Sequence, residues 1–177
     1  ELFWGPVVDG PFESPIGAEF VTGDLGMGHV LLFVSDMDAN LAFYRDLLCM
    51  VRSDWFSAGP DASLHFLRTT RRHHSVGLIH VAPFDALHHL MFETPSIDHV
   101  GATLDRANDA GLTITSSLGR HVNDRMVSFY MRAPGGLDVE VGYDGVLCGD
   151  DWVDHEAFGG DPWGHRGLAK VLDEEAR

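Results

Sequence analysis

Histidine is the residue type that could do chemistry here. The chain has 11 histidines among 177 residues, and several fall in tight clusters. Three short stretches carry metal-ligating side chains inside apolar runs: Gly28-His29-Val30, His88-His89-Leu90 and Val139-Glu140-Val141. In a strand, side chains two apart share a face. His29 therefore sits with Leu31 and Phe33, and His89 with Met91 and Glu93. Glu140 falls on the face opposite Leu137, Val139 and Val141. Burying a carboxylate between two valines is costly unless something pairs with it. Singly, each histidine is most simply a satisfied core residue, and the glutamate an edge residue facing solvent. Brought together, two imidazoles and one carboxylate make a facial triad with open positions, a donor set suited to non-haem Fe(II). Zinc also accepts a His2Glu site.

A polar loop, Gly119-Arg120-His121-Val122-Asn123-Asp124, leads into a segment in which Ser128 and Tyr130 share a face. Tyr130 there can hydrogen-bond a substrate. His73 and His88 have the opposite parity to His74 and His89, so they are expected to point away. Together with His65, His80 and His99 they read as structural or surface residues. The pocket walls are expected to include Phe33, Met91, Phe92 and the loop around 57–63.

The elements that must position these side chains form a repeat. Residues 1–26 are rich in Gly and Pro and read as an extended lead-in, and the opening Glu1 reads as a start inside a longer polypeptide or as the result of processing. Residues 28–34 read as a strand. A helix capped by Ser35 or Asp36 follows, with Met37, Leu41, Tyr44 and Leu48 at helical spacing. Strands are expected at 51–57, 63–68 and 73–81. The order then recurs: a strand at 87–93, a helix with Ile97, Val100, Leu104 and Ala107 on one face and Gly111 ending it, and strands at 112–117, 126–132 and 137–143. His29 and His89 occupy the same slot of the repeated unit, and His74 lies in the last strand of the first unit. That match puts a metal site on an equal footing with unrelated core histidines. The fold expected is α+β: two tandem βαβββ modules (27–82 and 87–143, together a catalytic domain over 27–143), with sheets curled around a metal site. Residues 144–177 form an acidic tail that wraps the outside.

Composition narrows the partners. A net charge of −15 argues against nucleic acid and anionic membranes, which need clustered Lys and Arg. No apolar run approaches the roughly 20 residues of a membrane helix, and no signal peptide is legible. The two cysteines, Cys49 and Cys148, make no disulfide framework, and a reducing cytoplasm is the expected compartment.

Several stretches, in order, carry a family resemblance: FVTGDLGMGHV (20–30), RHHSVGL (72–78), LHHLMFE (87–93), IDHVGATLDR (97–106), LGRHVNDRMVSFYMRAPGG (118–136), VEVGY (139–143) and Trp163-Gly164-His165. They resemble the type I extradiol catechol dioxygenases of the vicinal oxygen chelate superfamily, in particular the catalytic half of 2,3-dihydroxybiphenyl 1,2-dioxygenase and its steroid-catechol relatives. The resemblance implies paired βαβββ modules and iron held by His29, His89 and Glu140, with Mn(II) also accepted by such a set. It implies that His74 is the catalytic histidine, and that His121 and Tyr130 contact the substrate or support oxygen chemistry. Asn123 and Asp124 fall in a motif beside them and are grouped with the substrate-binding residues. The implied activity is extradiol (meta) cleavage of a catechol, 2,3-dihydroxybiphenyl-like or another aryl or steroid catechol, with both atoms of O2 incorporated. A homo-oligomer and association with a further N-terminal domain are both open. The alternatives are a glyoxalase-like metal-dependent lyase or isomerase, which needs a fourth protein ligand such as His74, and a non-catalytic binding module of the same superfamily.

Overall fold

Two runs of one helix and four strands account for most of the structure. The computed structural model describes residues 12–57 and 62–168, with Gly5, Gly10 and Gly59. The first run is β1 (Gly28–Phe33), α1 (Met37–Leu41), β2 (Val51–Ser57), β3 (Ser63–Arg68) and β4 (Val76–His80). The second is β5 (Ala86–Glu93), α2 (Ile97–Asp109), β6 (Ile114–Arg120), β7 (Val127–Arg132) and β8 (Asp138–Tyr143). A short β9 (His155–Glu156) follows in the tail. The α+β class and the paired βαβββ plan match the expectation, and β2 and β3 begin and end where their alternation predicts. β4 starts three residues later than expected, because His73-His74-Ser75 is loop rather than strand.

Asp36 caps α1 by accepting from the Ala39 amide, and Ser96 caps α2 by accepting from the His99 amide. Beyond Leu41 the first helix widens into a π-type turn over Ala42–Leu47.

All nine strands form one sheet in the order β6-β7-β8-β5-β1-β4-β3-β2-β9. Within each module the order is first, fourth, third, second, and the two halves meet where β1 pairs antiparallel with β5. Gly28 makes that junction close: any Cβ there would collide with the Met91 carbonyl. The alternation of each strand then divides the core. On one side Leu67 and Leu78 pack under α1, and Phe129 and Val141 pack under Val100 and Ala107 of α2. On the other side Leu31, Phe33, Phe66 and Ile79 form an apolar cluster facing away from the helices. Phe129 is fully buried, and truncating such a residue to Ala costs about 3–5 kcal/mol.

The lead-in is tied down at its end. The Val21 amide donates to the Glu93 carbonyl, and the buried Arg72 pairs with Glu93 while donating to the Val21 and Leu25 carbonyls. The tail covers both edges of the sheet. β9 pairs with β2, and Trp163 bridges to Arg120 on β6. It also enters the interior, since His165 is buried. Gly164 permits this, having φ +78 and lying against the Leu118 carbonyl and the Gly119 Cα where no side chain fits. Among the described residues no helix is long and apolar enough to cross a membrane.

Candidate metal centre and active-site cavity

The register places the chemistry on one face. Across the sheet, Tyr130 of β7 lies opposite Glu140 of β8, Glu140 beside Met91 of β5, and Met91 opposite His29 of β1. His89 is two residues from Met91 along β5 and so shares that face. His29, His89 and Glu140 thereby converge. The two Nε2 atoms are 3.0 Å apart, and each is 3.2 Å from Glu140 Oε2. Ligand atoms at about 2.1 Å from one metal ion stand about 3 Å apart, so this spacing fits three donors to a single ion. All three residues are buried, and such a cluster of unshielded polar atoms is hard to account for without an ion. Burial works to raise the Glu140 pKa, but hydrogen bonds from His121, His29 and His89 outweigh it and hold the carboxyl well below its usual range. Burial lowers the pKa of His89, with its hydrogen bond to Glu140 opposing. An ionised carboxylate and a neutral imidazole are the ligating forms.

A cavity of about 180 Å³ opens beside the three donors. An engineered protein cavity of roughly 150 Å³ accommodates benzene, so this one has room for a single aromatic ring. Most of its apolar wall comes from module one, through Leu31, Phe56, Leu64, Phe66 and Ile79, with Val122 and Leu168 completing it. Phe33, Met91 and Phe92 do not line it. Phe33 packs behind, against Phe84, Phe92 against Phe20, and Met91 faces a smaller cavity behind the site. Of the loop around 57–63, Ala58, Pro60 and Asp61 lie outside the described residues, while Phe56 and Leu64 beside it reach the cavity.

His74 lines the cavity with its ring stacked on His29, centroids 3.9 Å apart. Burial, and then the neighbouring His29 and His73, push its pKa well below the ordinary value, so it is neutral. Its Nδ1 lies 3.0 Å from His73 Nδ1 and 3.9 Å from Asp124 Oδ2. On the other side, His121 Nε2 lies 2.9 Å from the Tyr130 hydroxyl and 3.3 Å from Glu140 Oε1. Burial opposes protonation of His121, but hydrogen bonds to Asp161 and Glu140 win and raise its pKa well above the ordinary value. Burial, then the Glu140 and Asp124 charges, raise Tyr130 and keep its hydroxyl protonated. Asn123 and Asp124 border the cavity, and Asp124 is also structural, accepting from the Met126 amide.

Three residues of the site escaped sequence reasoning. His88 was expected to point away, yet it lines the cavity. The β1–β5 pairing slips between Leu31 and Leu32, so that Leu31 faces His89 and Leu32 faces Leu87. His88 is the extra residue of a β-bulge, and a bulge re-aims side chains that simple alternation would turn outward. Its Nδ1 lies 2.7 Å from His89 Nδ1, and its buried Nε2 has no partner among the described residues. Asp161 and His165 come from the tail. Asp161 reaches His121 Nδ1 at 3.2 Å and His165 Nδ1 at 2.5 Å, and the His165 ring stacks on His121 at 4.0 Å. The Trp163-Gly164-His165 stretch was the available signal, with Gly164 marking a close backbone approach. His65, His80 and His99 stay outside the cavity; His80 bonds the Val34 carbonyl and His99 sits at the α2 cap.

Comparison with known proteins shows the family to which the chain belongs. Residues 26–141 match the family model described as the Glyoxalase/Bleomycin resistance protein/Dioxygenase superfamily. An iron-dependent extradiol dioxygenase of Rhodococcus jostii is 40% identical over 163 residues, covering 86% of this chain and 54% of that protein. A biphenyl-2,3-diol 1,2-dioxygenase of Paraburkholderia xenovorans is 38% identical over 172 residues, covering 95% of this chain and 56% of the relative. The crystal structure of a halotolerant catechol dioxygenase superimposes with a TM-score of 0.80 at 37% identity, over 86% of this chain and 51% of that one. The chain spans about half the length of the curated relatives it matches. It belongs to the Glyoxalase/Bleomycin resistance protein/Dioxygenase superfamily, with the vicinal oxygen chelate fold and relatives named as extradiol dioxygenases.

Proposed function

We propose that the chain catalyses extradiol cleavage of a catechol, with Fe(II) held by His29, His89 and Glu140 and both atoms of O2 entering the product. The observation that carries this reading is the convergence of two imidazoles and a carboxylate at a cavity sized for one aromatic ring. Fe(II), when bound, supplies a Lewis acid that lowers the pKa of a catechol hydroxyl and a redox centre between the ring and oxygen. Mn(II) accepts the same donors. The catechol supplies all the electrons, so no external reductant is needed. The carbon–carbon bond beside the two hydroxylated carbons breaks, and each new end gains one oxygen.

The chain's own residues orient the reactants and move protons. Phe56, Leu64, Phe66 and Ile79 exclude water and hold the ring. Neutral His74 accepts a proton from a catechol hydroxyl and, once charged, stabilises negative charge on oxygen. His121 as imidazolium and Tyr130 as a neutral hydroxyl donate hydrogen bonds to the substrate oxygens, with Asn123 and Asp124 at the rim. Residues 27–143 form the catalytic unit, and the tail completes it through Asp161 and His165. The relatives named for biphenyl-2,3-diol support a 2,3-dihydroxybiphenyl-like or other aryl catechol. The unpaired Cys49 and Cys148 suit a reducing cytoplasm. A glyoxalase-like reaction would draw on His74 as a fourth ligand through its Nε2, and oxygen uptake separates that reading from this one.

The test is oxygen uptake by anaerobically Fe(II)-loaded protein on adding 2,3-dihydroxybiphenyl and, separately, catechol. The expected result is uptake with a yellow ring-opened product. Bound iron without uptake on either substrate would contradict the reading.

A further inference from the structure

His74 depends on a pair of buried residues that no metal or substrate needs to touch. Behind it stands His73, and behind His73 stands Asp54 of β2, which is 0% exposed. Asp54 Oδ2 lies 3.2 Å from His73 Nε2, and His73 Nδ1 lies 3.0 Å from His74 Nδ1. The His73 ring is fixed from several sides. Trp152 meets it edge-on at 5.6 Å and Phe66 lies at 5.8 Å. Ser53 donates to the His73 carbonyl, and the Trp152 indole donates to the Ser53 carbonyl at 2.9 Å. None of these groups serves the metal or lines the cavity, apart from Phe66.

We infer that Asp54 and His73 are positioning residues that fix His74 as its Nδ1–H tautomer, turning a bare Nε2 toward the cavity. The argument is one of donors and acceptors. An ionised carboxylate only accepts, so His73 must donate from Nε2. A neutral imidazole has one N–H, so His73 Nδ1 is then an acceptor. The contact at 3.0 Å needs one donor, which is His74 Nδ1. Asp124 Oδ2 lies 3.9 Å from that same nitrogen, beyond hydrogen-bond distance but of the charge that favours an N–H there. With the single N–H of the imidazole on Nδ1, the remaining nitrogen of His74 carries a lone pair. That is the form able to take a proton from a hydroxyl. With the opposite tautomer the ring would present an N–H and could only donate. An aspartate that sets the tautomer of a catalytic histidine is familiar from hydrolytic triads; here a second histidine stands between the two.

This inference deepens the dioxygenase reading and rests on it for the use His74 makes of its lone pair, but the tautomer is read without turnover. The experiment is NMR of the chain labelled with 15N-histidine, with and without Zn(II), in which pyridine-like and pyrrole-like ring nitrogens separate by shift. The expected result is a pyridine-like Nε2 on His74, and on His73 a pyridine-like Nδ1 with a pyrrole-like Nε2. An N–H at His74 Nε2, or a doubly protonated His73, would overturn the inference even in an enzyme that consumes oxygen. In the Fe(II)-loaded enzyme, Asp54→Asn should lower kcat roughly 10–100-fold, the usual cost of removing an outer-shell partner, with KM and iron content unchanged. Wild-type kcat in Asp54→Asn would also overturn it. A wild-type chain that binds iron but takes up no oxygen would sink the dioxygenase reading while leaving the tautomer result standing. Should Asp54→Asn fail to fold, the wild-type spectrum alone decides.

Discussion

Each module carries an adjacent pair of histidines at the site, and the two pairs share one contact but differ in what lies behind it. In both, the first histidine meets the second through Nδ1: His73 to His74 at 3.0 Å, and His88 to His89 at 2.7 Å. Behind His73 is the carboxylate of Asp54. Behind His88 there is no polar partner among the described residues, only the ring of Phe33 at 5.2 Å. The first pair sits in the loop before β4, and the second sits on a bulge inside β5. In the proposed function the same dipeptide does two jobs. His89 aims Nε2 at Glu140 and His29, which suits a metal ligand. His74 holds its Nδ1 toward His73, which leaves its Nε2 for proton chemistry.

Removing the second member of each pair should separate these jobs most sharply. His89→Ala is expected to lose the metal and all turnover, read by metal content after gel filtration. His74→Ala is expected to retain metal and lose about 10²–10⁴ in kcat, the range of acid–base catalysis. A His74→Ala protein that loses its metal would erase the distinction.

A smaller effect is expected at His88. For His89 to present a lone pair at Nε2, its Nδ1 must carry the proton and donate it to His88. Removing such a partner commonly costs 10–100-fold in metal affinity, so His88→Phe should weaken binding by about that factor while kcat at saturating metal changes little. Unchanged affinity in a competition titration would mean that the His88 contact does not orient His89.

The smallest expected effect is on stability. Burial, and then the neighbouring His89, push the His88 pKa from 6.5 to about 3. Between those values the unfolded chain holds a proton at this site that the folded chain does not. Stability therefore falls as pH drops from 6.5 toward 3 and is fully present above 6.5. His88→Phe should flatten that part of the pH–stability curve in chelator-treated protein. An unchanged slope would show that His88 is solvated in the folded state.

The two pairs also mark where sequence reasoning reaches. β2 and β3 were legible to the residue because alternation and turn residues bound them. His29, His89 and Glu140 were legible as a group because parity fixes the face of His29 and Glu140 in regular strands, and His89 keeps the parity of Met91 on the far side of the bulge. Parity cannot see a bulge, so His88 was turned the wrong way. It has no meaning in a loop, so the His73–His74 arrangement and its partner Asp54, 19 positions earlier, were hidden. The apolar wall was misread for a related reason. Phe33 and Phe66 share one cluster, but only the curl of the sheet decides which of them meets the cavity. Asp161 and His165 lie in a tail without periodicity, fixed by the fit of Gly164 against β6 rather than by any pattern.

The proposed reaction carries both atoms of O2 into a catechol at the His29–His89–Glu140 centre. The most direct measurement is mass spectrometry of the product formed from 2,3-dihydroxybiphenyl under 18O2 by Fe(II)-loaded protein, with the Glu140→Ala variant in parallel. The account predicts a ring-opened product carrying two labelled oxygens in the wild type, and none in the variant. A product with one label or none, or the same product from Glu140→Ala, would contradict it.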